Sequence, residues 1–483
     1  MEDWAMNNRT AENFAGKRIT ALLDEGSFVE IGREITARTT DFNVQAKDTP
    51  ADGVITGYGV IDGNLVYVYS QDAEVMNGSI GEMHAKKIAH IYDMAMKMGA
   101  PVVGFVDCAG LRLQEATDAL NGFGELYLKQ TMASGVIPQI TAVFGTCGGG
   151  LAIVPALTDF TFIEEKGRLF VNSPNAIPGN TEAKCDTASA SYQEKETGLI
   201  DFVGTEEEII ANIRELICMI PGNNEDNDSY DECLDDLNRR CEELENAVED
   251  PAIMFSMISD NGIFFETKRN FAKDMVTGLI RLNGMTVGAV ANRTTRYDEE
   301  GNAAETFDCA LSARGCRKAA DFVNFCDAFN LPVVTFVNVN GFKACKCSEN
   351  NIARETGRLT YAFANATVPK VTVVTGKAYG SAYVVMNSKS IGADMVYAWP
   401  GAEIGMMDAK LAAKIMYADE AAEVIAEKAK EYEALQTSPE AAARRGYVDT
   451  IIDPADTRKY LIGAFEMLFT KREDRPVKKH GTV

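Results

Sequence analysis

The chain has few of the side chains that carry acid–base chemistry, and it is short of positive charge. Its 483 residues include only three histidines, and 47 Lys and Arg stand against 71 Asp and Glu, for a formal net charge of −24. This acidic balance excludes nucleic acid and anionic membrane surfaces as partners, because both need a basic protein face. A Gly-x-Ser-x-Gly elbow, a Walker loop and a dinucleotide fingerprint are also missing from the sequence.

Export and membrane signals are missing as well. No apolar run is long enough to span a bilayer, and the N-terminal residues MEDW do not resemble a signal peptide. We therefore expect a cytoplasmic protein without direct membrane insertion. The eleven cysteines are scattered and are expected to be reduced thiols. Cys345 and Cys347, with three further cysteines upstream, lack the spacing of a zinc site, so the sequence predicts buried thiols and no metal.

What the sequence does contain is an internal repeat. Residues 101–106, PVVGFV, recur as PVVTFV at 332–337, a shift of 231 positions, and the same shift carries Gly110 onto Gly341. A weaker match, between residues 221 positions apart, precedes this repeat in the chain. Landmarks that match over so long a span indicate two copies of one unit.

Short apolar strands alternate with helices in each copy, which is typical of βαβ units around a parallel sheet. In the first copy, a buried strand at 102–106 is predicted to lead through a glycine loop into a helix. That helix is expected to begin near Leu111 and to run towards Leu128.

The region between the copies is strongly acidic. Twelve of the 28 residues at 223–250 are Asp or Glu, which predicts a solvated linker with a short helix at 233–248. A chain of this length suits two domains. The sequence therefore predicts an N-terminal domain at 1–250, including the linker, and a C-terminal domain at 251–483.

Each copy contains two strand–loop–helix turns with glycine in the loop, at Gly110 and 148–150 in the first and at Gly341 and Gly380 in the second. Glycine permits positive φ and close approach to the backbone. A helix that starts after such a loop leaves unpaired N–H groups with a partial positive field. Two such N–H groups from neighbouring strands would form an oxyanion hole. Tight packing and phosphate binding are the alternatives that the residues leave open.

The histidines do not fit a shared acid–base role. His84 and His90 map onto Gly315 and Asp321 in the other copy, and the third, His480, lies near the C-terminus. We therefore expect chemistry in which the protein supplies charge stabilisation and position, while a substrate or a cofactor moves the proton.

The chain resembles a known family over nearly its whole length. The resemblance is carried by the runs ASGVIPQI at 133–140, FCDAFN at 325–330, ATVPKV at 366–371, KAYG at 377–380 and YAWP at 397–400. They are similar to those of the carboxyltransferase β-type subunits of biotin-dependent acyl-CoA carboxylases and decarboxylases. That family includes propionyl-CoA carboxylase β, the methylmalonyl-CoA transcarboxylase large subunit and methylmalonyl-CoA decarboxylase α.

The resemblance implies an α/β fold of two tandem crotonase-like (ClpP/crotonase) ββα-spiral domains. It implies an enzyme that transfers a carboxyl group between biotin, on a separate carrier protein, and the α-carbon of a short acyl-CoA such as propionyl-/methylmalonyl-CoA or acetyl-/malonyl-CoA. The N-terminal domain would hold the coenzyme A thioester and the C-terminal domain the biotin. The implied partners are a biotin carboxyl carrier protein, a biotin carboxylase or membrane decarboxylase subunit, and further copies of the chain in a dimer or trimer of dimers.

The resemblance also implies the site residues. One hole would stabilise a thioester enolate and the other an enolate of the biotin ureido group. The residues of the first hole are Gly110, Leu111, Gly149 and Gly150; those of the second are Gly341, Phe342, Ser381 and Ala382; and those expected to bind cofactor or CoA are Lys87, Lys318, Tyr379, Gly380 and Val384. The two lysines occupy equivalent positions, and the alternatives for them are CoA phosphate binding and simple solvation on helix surfaces.

The sequence departs from the family in both loops. Residues 108–112 read CAGLR where relatives have SGGAR, and residues 340–345 read NGFKAC where relatives have PGFLPG. Since the holes use backbone N–H groups, side-chain changes do not by themselves abolish them, and we expect an active carboxyltransferase. The alternatives are a catalytically reduced paralogue that serves as a structural subunit, and a hydratase, for which Glu115 is the nearby acid–base candidate.

Overall fold

The computed structural model describes residues 13–38, 49–226 and 230–476. Contacts between residues divide the chain into two compact units, unit 1 at Met1–Ser229 and unit 2 at Tyr230–Val483. Each unit has its own apolar core.

Unit 1 is built on a mixed sheet with helices packed against it. Its strands are β1 (Val29–Glu30), β2 (Val54–Ile61), β3 (Asn64–Gln71), β4 (Val102–Cys108), β5 (Gln139–Gly148), β6 (Phe160–Glu164), β7 (Arg168–Phe170) and β8 (Phe202–Gly204). Its helices are α1 (Phe14–Leu22), α2 (Glu82–Met98), α3 (Ala116–Ala133), α4 (Ile153–Ala156), α5 (Ala190–Tyr192) and α6 (Glu206–Met219). The strand order is β1-β2-β3-β4-β5-β6-β8, with β7 beside β5. From β3 onwards the pairs are parallel.

Unit 2 has the same plan. Its strands are β9 (Phe264–Thr267), β10 (Met275–Leu282), β11 (Met285–Asn292), β12 (Thr295–Tyr297), β13 (Ala303–Thr306), β14 (Val333–Val339), β15 (Lys370–Tyr379), β16 (Met395–Ala398), β17 (Glu403–Gly405) and β18 (Thr450–Ile451). Its helices are α7 (Pro251–Ile258), α8 (Ala313–Ala328), α9 (Lys346–Glu349), α10 (Ile352–Asn365), α11 (Gly380–Val385), α12 (Ala409–Met416), α13 (Ala422–Tyr432), α14 (Pro439–Arg444) and α15 (Thr457–Leu468). The order is β9-β10-β11-β14-β15-β16-β18, with β17 beside β15, and β12 and β13 form a separate hairpin.

The register of the two sheets follows the sequence repeat. Tyr67 on β3 lies opposite Val102 on β4, and Gly288 on β11 lies opposite Val333 on β14. These pairs differ by the shifts of 221 and 231 positions seen in the sequence. The repeat therefore describes two copies of one βαβ core, and the predicted parallel sheets are present in both.

The helix predicted after β4 begins later than expected. Instead of starting near Leu111, α3 starts at Ala116, and the intervening residues form a β-bridge with Ile80 and a 3₁₀ turn at Leu113–Glu115. The backbone is drawn away from the helix because the Arg112 N–H donates to the Ile80 carbonyl at 2.9 Å. The loop between this strand and α3 is therefore longer than the sequence predicts.

The acidic segment also differs from expectation. The helix predicted at 233–248 is wrong, since only a 3₁₀ turn at Leu244–Ala247 forms there. Its groups bond to distant residues instead, as when the Cys241 N–H donates to the Ala455 carbonyl at 2.9 Å. Leu244 is buried in the core of unit 2, so residues 230–250 lie with that unit, whereas the sequence assigned them to the first domain.

Candidate active site

In unit 1, two glycine loops leave the carboxyl ends of adjacent parallel strands. Cys108 on β4 and Cys147 on β5 are register partners, so the two loops start side by side. Gly110 has φ 112° and Gly149 has φ 65°. A Cβ at either position would meet no atom within 4 Å, so the positive φ, and not a lack of space, is what requires glycine.

The loop after β4 presents one backbone donor. The Ile80 N–H donates to the Gly110 carbonyl and the Arg112 N–H donates to the Ile80 carbonyl, both at 2.9 Å. A parallel bridge of this kind directs the N–H of the central residue, Leu111, away from Ile80. The Gly110 N–H points to the Cys108 Sγ at 3.2 Å. Of the two candidates, Leu111 therefore has the N–H without a partner among the described residues.

The loop after β5 supplies donors from a helix start. Gly149 and Gly150 open a 3₁₀ turn that leads into α4, and the first N–H groups of such a segment have no partner within it. The Tyr127 hydroxyl donates to the Gly150 carbonyl at 2.6 Å, which fixes the orientation of that peptide group. Leu111 and Gly149–Gly150 thus lie at one edge of the sheet.

Unit 2 repeats this geometry. Val339 on β14 pairs with Ala378 on β15 at the equivalent register. The Leu311 N–H donates to the Gly341 carbonyl at 3.0 Å, and the Lys343 N–H donates to the Leu311 carbonyl at 2.9 Å. This second bridge leaves the Phe342 N–H without a partner in the part of the chain that the structure describes.

The partner loop of unit 2 opens α11. Gly380 is left-handed with φ 60°, and Ser381 and Ala382 follow in the first turn of the helix, where N–H groups lack helical partners. Val384 is half-buried one turn further on. The Tyr379 hydroxyl donates to the Glu403 carboxylate, and burial, followed by this carboxylate, raises the pKa of Tyr379. These five positions, Tyr379, Gly380, Ser381, Ala382 and Val384, stay predicted hole or biotin residues.

Lys87 and Lys318 are buried, not solvated on helix surfaces. The Lys87 Nζ donates to the carbonyls of Ala51 at 2.7 Å and Val54 at 2.5 Å. The Lys318 Nζ donates to three carbonyls, including that of Met275 at 2.8 Å. Burial lowers the pKa of Lys87 to about 8 and that of Lys318 to about 7. The role of these lysines in phosphate binding stays a prediction. Their hydrogen bonds to backbone carbonyls attach the segments that carry those carbonyls to α2 and α8.

The acid–base side chains near the first hole are already engaged. His84 is fully buried, and its ring nitrogens lie 2.9 Å from the Asp52 carbonyl oxygen and 3.1 Å from the Gln71 side-chain nitrogen. Burial lowers the pKa of this ring to about 3. Glu115, the candidate acid–base group of a hydratase, accepts hydrogen bonds from the Arg112 guanidinium at 2.7 Å and from the Glu82 N–H at 2.6 Å. Neither side chain is placed as a free proton shuttle.

The prediction that the cysteines of unit 2 are buried thiols is only partly confirmed. Cys316 and Cys326 are buried as expected, whereas Cys345 and Cys347 are exposed. The loop after Gly341 runs along the surface of unit 2, where Cys345 caps α9 by accepting the Ser348 N–H at 3.3 Å. Thiol burial was therefore predicted wrongly for this pair.

Sequence reasoning missed the side chains that hold the first loop. Arg112 contacts Asp52 and Glu115 in a buried cluster, and Tyr127 orients the Gly150 peptide. The spacing of Arg112 and Glu115, three residues apart directly after a glycine loop, was an available signal for an ion pair. Nothing local marked Asp52, because its partner is 60 residues away.

Comparisons with known proteins bear on this geometry. A family model described as the carboxyl transferase domain matches residues 7–483. The α subunit of methylmalonyl-CoA decarboxylase from Propionigenium modestum is 40% identical over 97% of this chain and 92% of its own length. The propionyl-CoA carboxylase β chain of Roseobacter denitrificans is 40% identical over 97% of this chain and 93% of its own length.

Solved structures agree with the sequence matches. The crystal structure of transcarboxylase 12S, a hexamer with hydrolysed methylmalonyl-CoA bound, superposes with a TM-score of 0.90 and 37% identity. The match covers 98% of this chain and 93% of that one. These matches confirm the resemblance and the crotonase-like two-domain fold class that it implied. None of the helices in the described ranges is long and apolar enough to cross a membrane.

Proposed function

Because the chain belongs to the carboxyl transferase family, we propose that it moves a carboxyl group between biotin and the α-carbon of a short acyl-CoA. The observation that carries the proposal is the pair of equivalent loop arrangements, one per unit. Each combines a bridge that frees one N–H, at Leu111 or Phe342, with a left-handed glycine that opens a helix, at Gly149 or Gly380. Oriented N–H groups of this kind stabilise a developing oxyanion.

In unit 1, the N–H groups of Leu111 and Gly149–Gly150 would donate hydrogen bonds to the thioester oxygen as it becomes an enolate. In unit 2, the donors at Phe342 and at 380–382 suit the carbonyl oxygen of a ureido group, since they are uncharged, oriented N–H groups. Biotin, delivered by its carrier, supplies the nitrogen that gives or accepts the carboxyl group. The chain's own residues then orient the reactants and stabilise charge, which fits the engagement of His84 and Glu115 in buried hydrogen bonds.

The substrate that the relatives favour is propionyl- or methylmalonyl-CoA. Both relatives described above are named for these acyl groups, and the transcarboxylase crystal holds hydrolysed methylmalonyl-CoA. We propose the same acyl class here, with biotin on a separate carrier protein and a biotin carboxylase or membrane decarboxylase subunit as partner. The alternative of a catalytically reduced structural subunit is not favoured by these matches.

The test is CO2 release from methylmalonyl-CoA by the purified chain, with and without free biotin. We expect release that depends on biotin and is faster with methylmalonyl-CoA than with malonyl-CoA, and stoichiometric formation of propionyl-CoA. Propionyl-CoA serves as the blank that contains no carboxyl group to lose. Two results would contradict the proposal: CO2 release at the same rate with and without biotin, or no CO2 release from an acyl-CoA that calorimetry shows to bind.

A further inference from the structure

The loop that carries the Leu111 N–H is attached to a buried cluster of three charged side chains. The Arg112 Nη1 lies 2.5 Å from an Asp52 carboxylate oxygen and 2.7 Å from a Glu115 carboxylate oxygen. The Arg112 Nη2 donates to the Ser79 carbonyl at 2.9 Å. Arg112 is 1% exposed, Asp52 0% and Glu115 5%. Charges this deeply buried are costly to separate, because removing one partner leaves the others uncompensated.

The cluster connects the loop to the start of α2. The second Asp52 oxygen accepts the His84 N–H at 2.7 Å, and the second Glu115 oxygen accepts the Glu82 N–H at 2.6 Å. Both N–H groups belong to the first turn of α2, where they have no helical partner. The segment just before that turn contains Ile80, whose bridge to the loop directs the Leu111 N–H outward. The carboxylates therefore fix the loop, the bridge and the helix start as one body.

Close packing leaves this body little room to shift. A Cβ at Gly81, between Ile80 and the helix, would lie 2.4 Å from a Glu115 carboxylate oxygen and 2.5 Å from the Arg112 Nη1. Such distances are shorter than van der Waals contact, so the ion cluster fills the space against that glycine. Small displacements of the loop would break charged contacts and are energetically unfavourable.

The fold by itself does not need this cluster. Unit 2 forms the same bridge between Leu311 and Phe342, yet the residue equivalent to Arg112 is Lys343. The Lys343 side chain is 44% exposed and its Nζ lies 3.7 Å from an Asp308 oxygen. The buried cluster is therefore an addition in the unit whose hole would receive the thioester enolate.

We propose that Asp52, Arg112 and Glu115 are positioning residues that hold the Leu111 N–H in the geometry required by the enolate oxygen. They act through the backbone and do not touch the substrate. This proposal rests on the proposed function, because the three residues would affect the rate of carboxyl transfer through the position of that N–H group. An N–H fixed in advance stabilises the charged state without reorganisation, whereas a loosened one binds the neutral thioester nearly as well and the enolate less well.

The first test measures positioning without activity. Arg112→Lys keeps the charge but loses the forked geometry, and Glu115→Gln is the milder variant in case Arg112→Lys does not fold. The matched control is Arg458→Lys, since Arg458 is 0% exposed and lies 2.8 Å from Asp260 in unit 2. Hydrogen exchange in the peptide that contains Leu111 should be at least tenfold faster in Arg112→Lys than in the wild type or in the control. Unchanged exchange there overturns the proposal.

The second test measures the consequence for binding. The probes are propionyl-CoA and a CoA analogue that carries a nitronate, a planar anion, in place of the thioester enolate. We expect Arg112→Lys and Glu115→Gln to lower nitronate affinity at least tenfold while propionyl-CoA affinity changes less than twofold, with kcat falling and KM nearly constant. Equal losses for both ligands, or the same selective loss in Arg458→Lys, overturn the positioning role. A wild type that binds both probes equally contradicts the proposed function itself, and with it this inference.

Discussion

At the scale of single residues, backbone conformation rather than side-chain chemistry defines the candidate site. Gly149 and Gly380 occupy equivalent positions with φ 65° and 60°, and their neighbours differ in side chain without changing this geometry. Two nearby side chains with titratable groups, His84 and Glu115, are held in buried hydrogen bonds. Although both loops depart from the family pattern, the proposed donors at Leu111 and Phe342 have N–H groups without a partner among the described residues.

Gly149→Ala tests this view. Alanine in the left-handed region costs roughly 1–2 kcal/mol, and at Gly149 we expect that strain to turn the donors away, so that carboxyl transfer falls more than tenfold. Gly446→Ala is the matched control, because Gly446 has φ 77° and its Cβ would also meet no atom within 4 Å. Thermal unfolding should shift equally in both variants. Full transfer activity in a folded Gly149→Ala protein would remove Gly149 from the first hole.

At the scale of elements, the two units share hydrogen bonds between a buried lysine and backbone carbonyls, as well as strands. Lys87 on α2 donates to the carbonyl of Val54 on β2, and Lys318 on α8 donates to the carbonyl of Met275 on β10. These two hydrogen bonds between a helix and a strand are related by the same shifts of 231 and 221 positions as the sheets, so they belong to the repeated unit. Buried lysines that satisfy backbone carbonyls stabilise the entry into each hairpin.

These lysines make stability depend on pH. Burial lowers the pKa of Lys318 from its ordinary value of 10.5 to about 7, so between these values the unfolded chain binds more protons than the folded one. Unfolding free energy then rises as the pH increases from about 7 towards 10, and the contribution is smallest below pH 7. Urea unfolding at several pH values should show this rise.

Lys318→Met should lower stability throughout, because three carbonyls lose their donor, and should give a flatter pH dependence than the wild type. Lys87→Met is the companion variant, with a smaller change expected over a range that begins near pH 8. A Lys318→Met protein with the wild-type slope would show that this amino group does not titrate as burial implies.

At the scale of the whole molecule, exposed apolar side chains indicate association. On α3, Leu120 is 59% exposed and Leu128 is 56% exposed, and Met406 in unit 2 is 74% exposed. Leu120 and Leu128 lie on the same helix, and exposed apolar side chains grouped in this way commonly mark a protein–protein interface. The related transcarboxylase 12S is described as a hexamer, which supports the predicted assembly of several copies.

Sedimentation equilibrium should therefore give a mass near six times that of the 52.5 kDa chain. The double variant Leu120→Glu with Leu128→Glu should dissociate to smaller species, because burying two carboxylates in an interface is unfavourable. Leu435→Glu, at a residue that is 57% exposed in unit 2, serves as a comparison for the general effect of added charge. A monomeric wild type at micromolar concentration would contradict the predicted oligomer.

The sequence by itself determined the repeat, the alternation of strands and helices, the glycine loops and the family. Each of these depends on local patterns, namely apolar periodicity, turn residues and short motifs, which can be recognised without knowing distant contacts. The shifts of 231 and 221 positions even anticipated the register of both sheets. On this basis the glycine loops after β4, β5, β14 and β15 were located along the chain, whereas the role of their residues stays a prediction.

Only the tertiary structure decided which donors are available and what holds them. The bridge to Ile80 distinguishes Leu111 from Gly110 and delays the start of α3 to Ala116. Hydrogen bonds within unit 2, such as that from Cys241 to Ala455, take the place of a helix at 233–248. For Lys87 and Lys318 the sequence left phosphate binding and surface solvation open, and the structure shows both side chains buried. The physical reason is the same in each case: burial and hydrogen bonding of a polar group depend on partners tens of residues away, such as Asp52 for Arg112, and no local pattern encodes those partners.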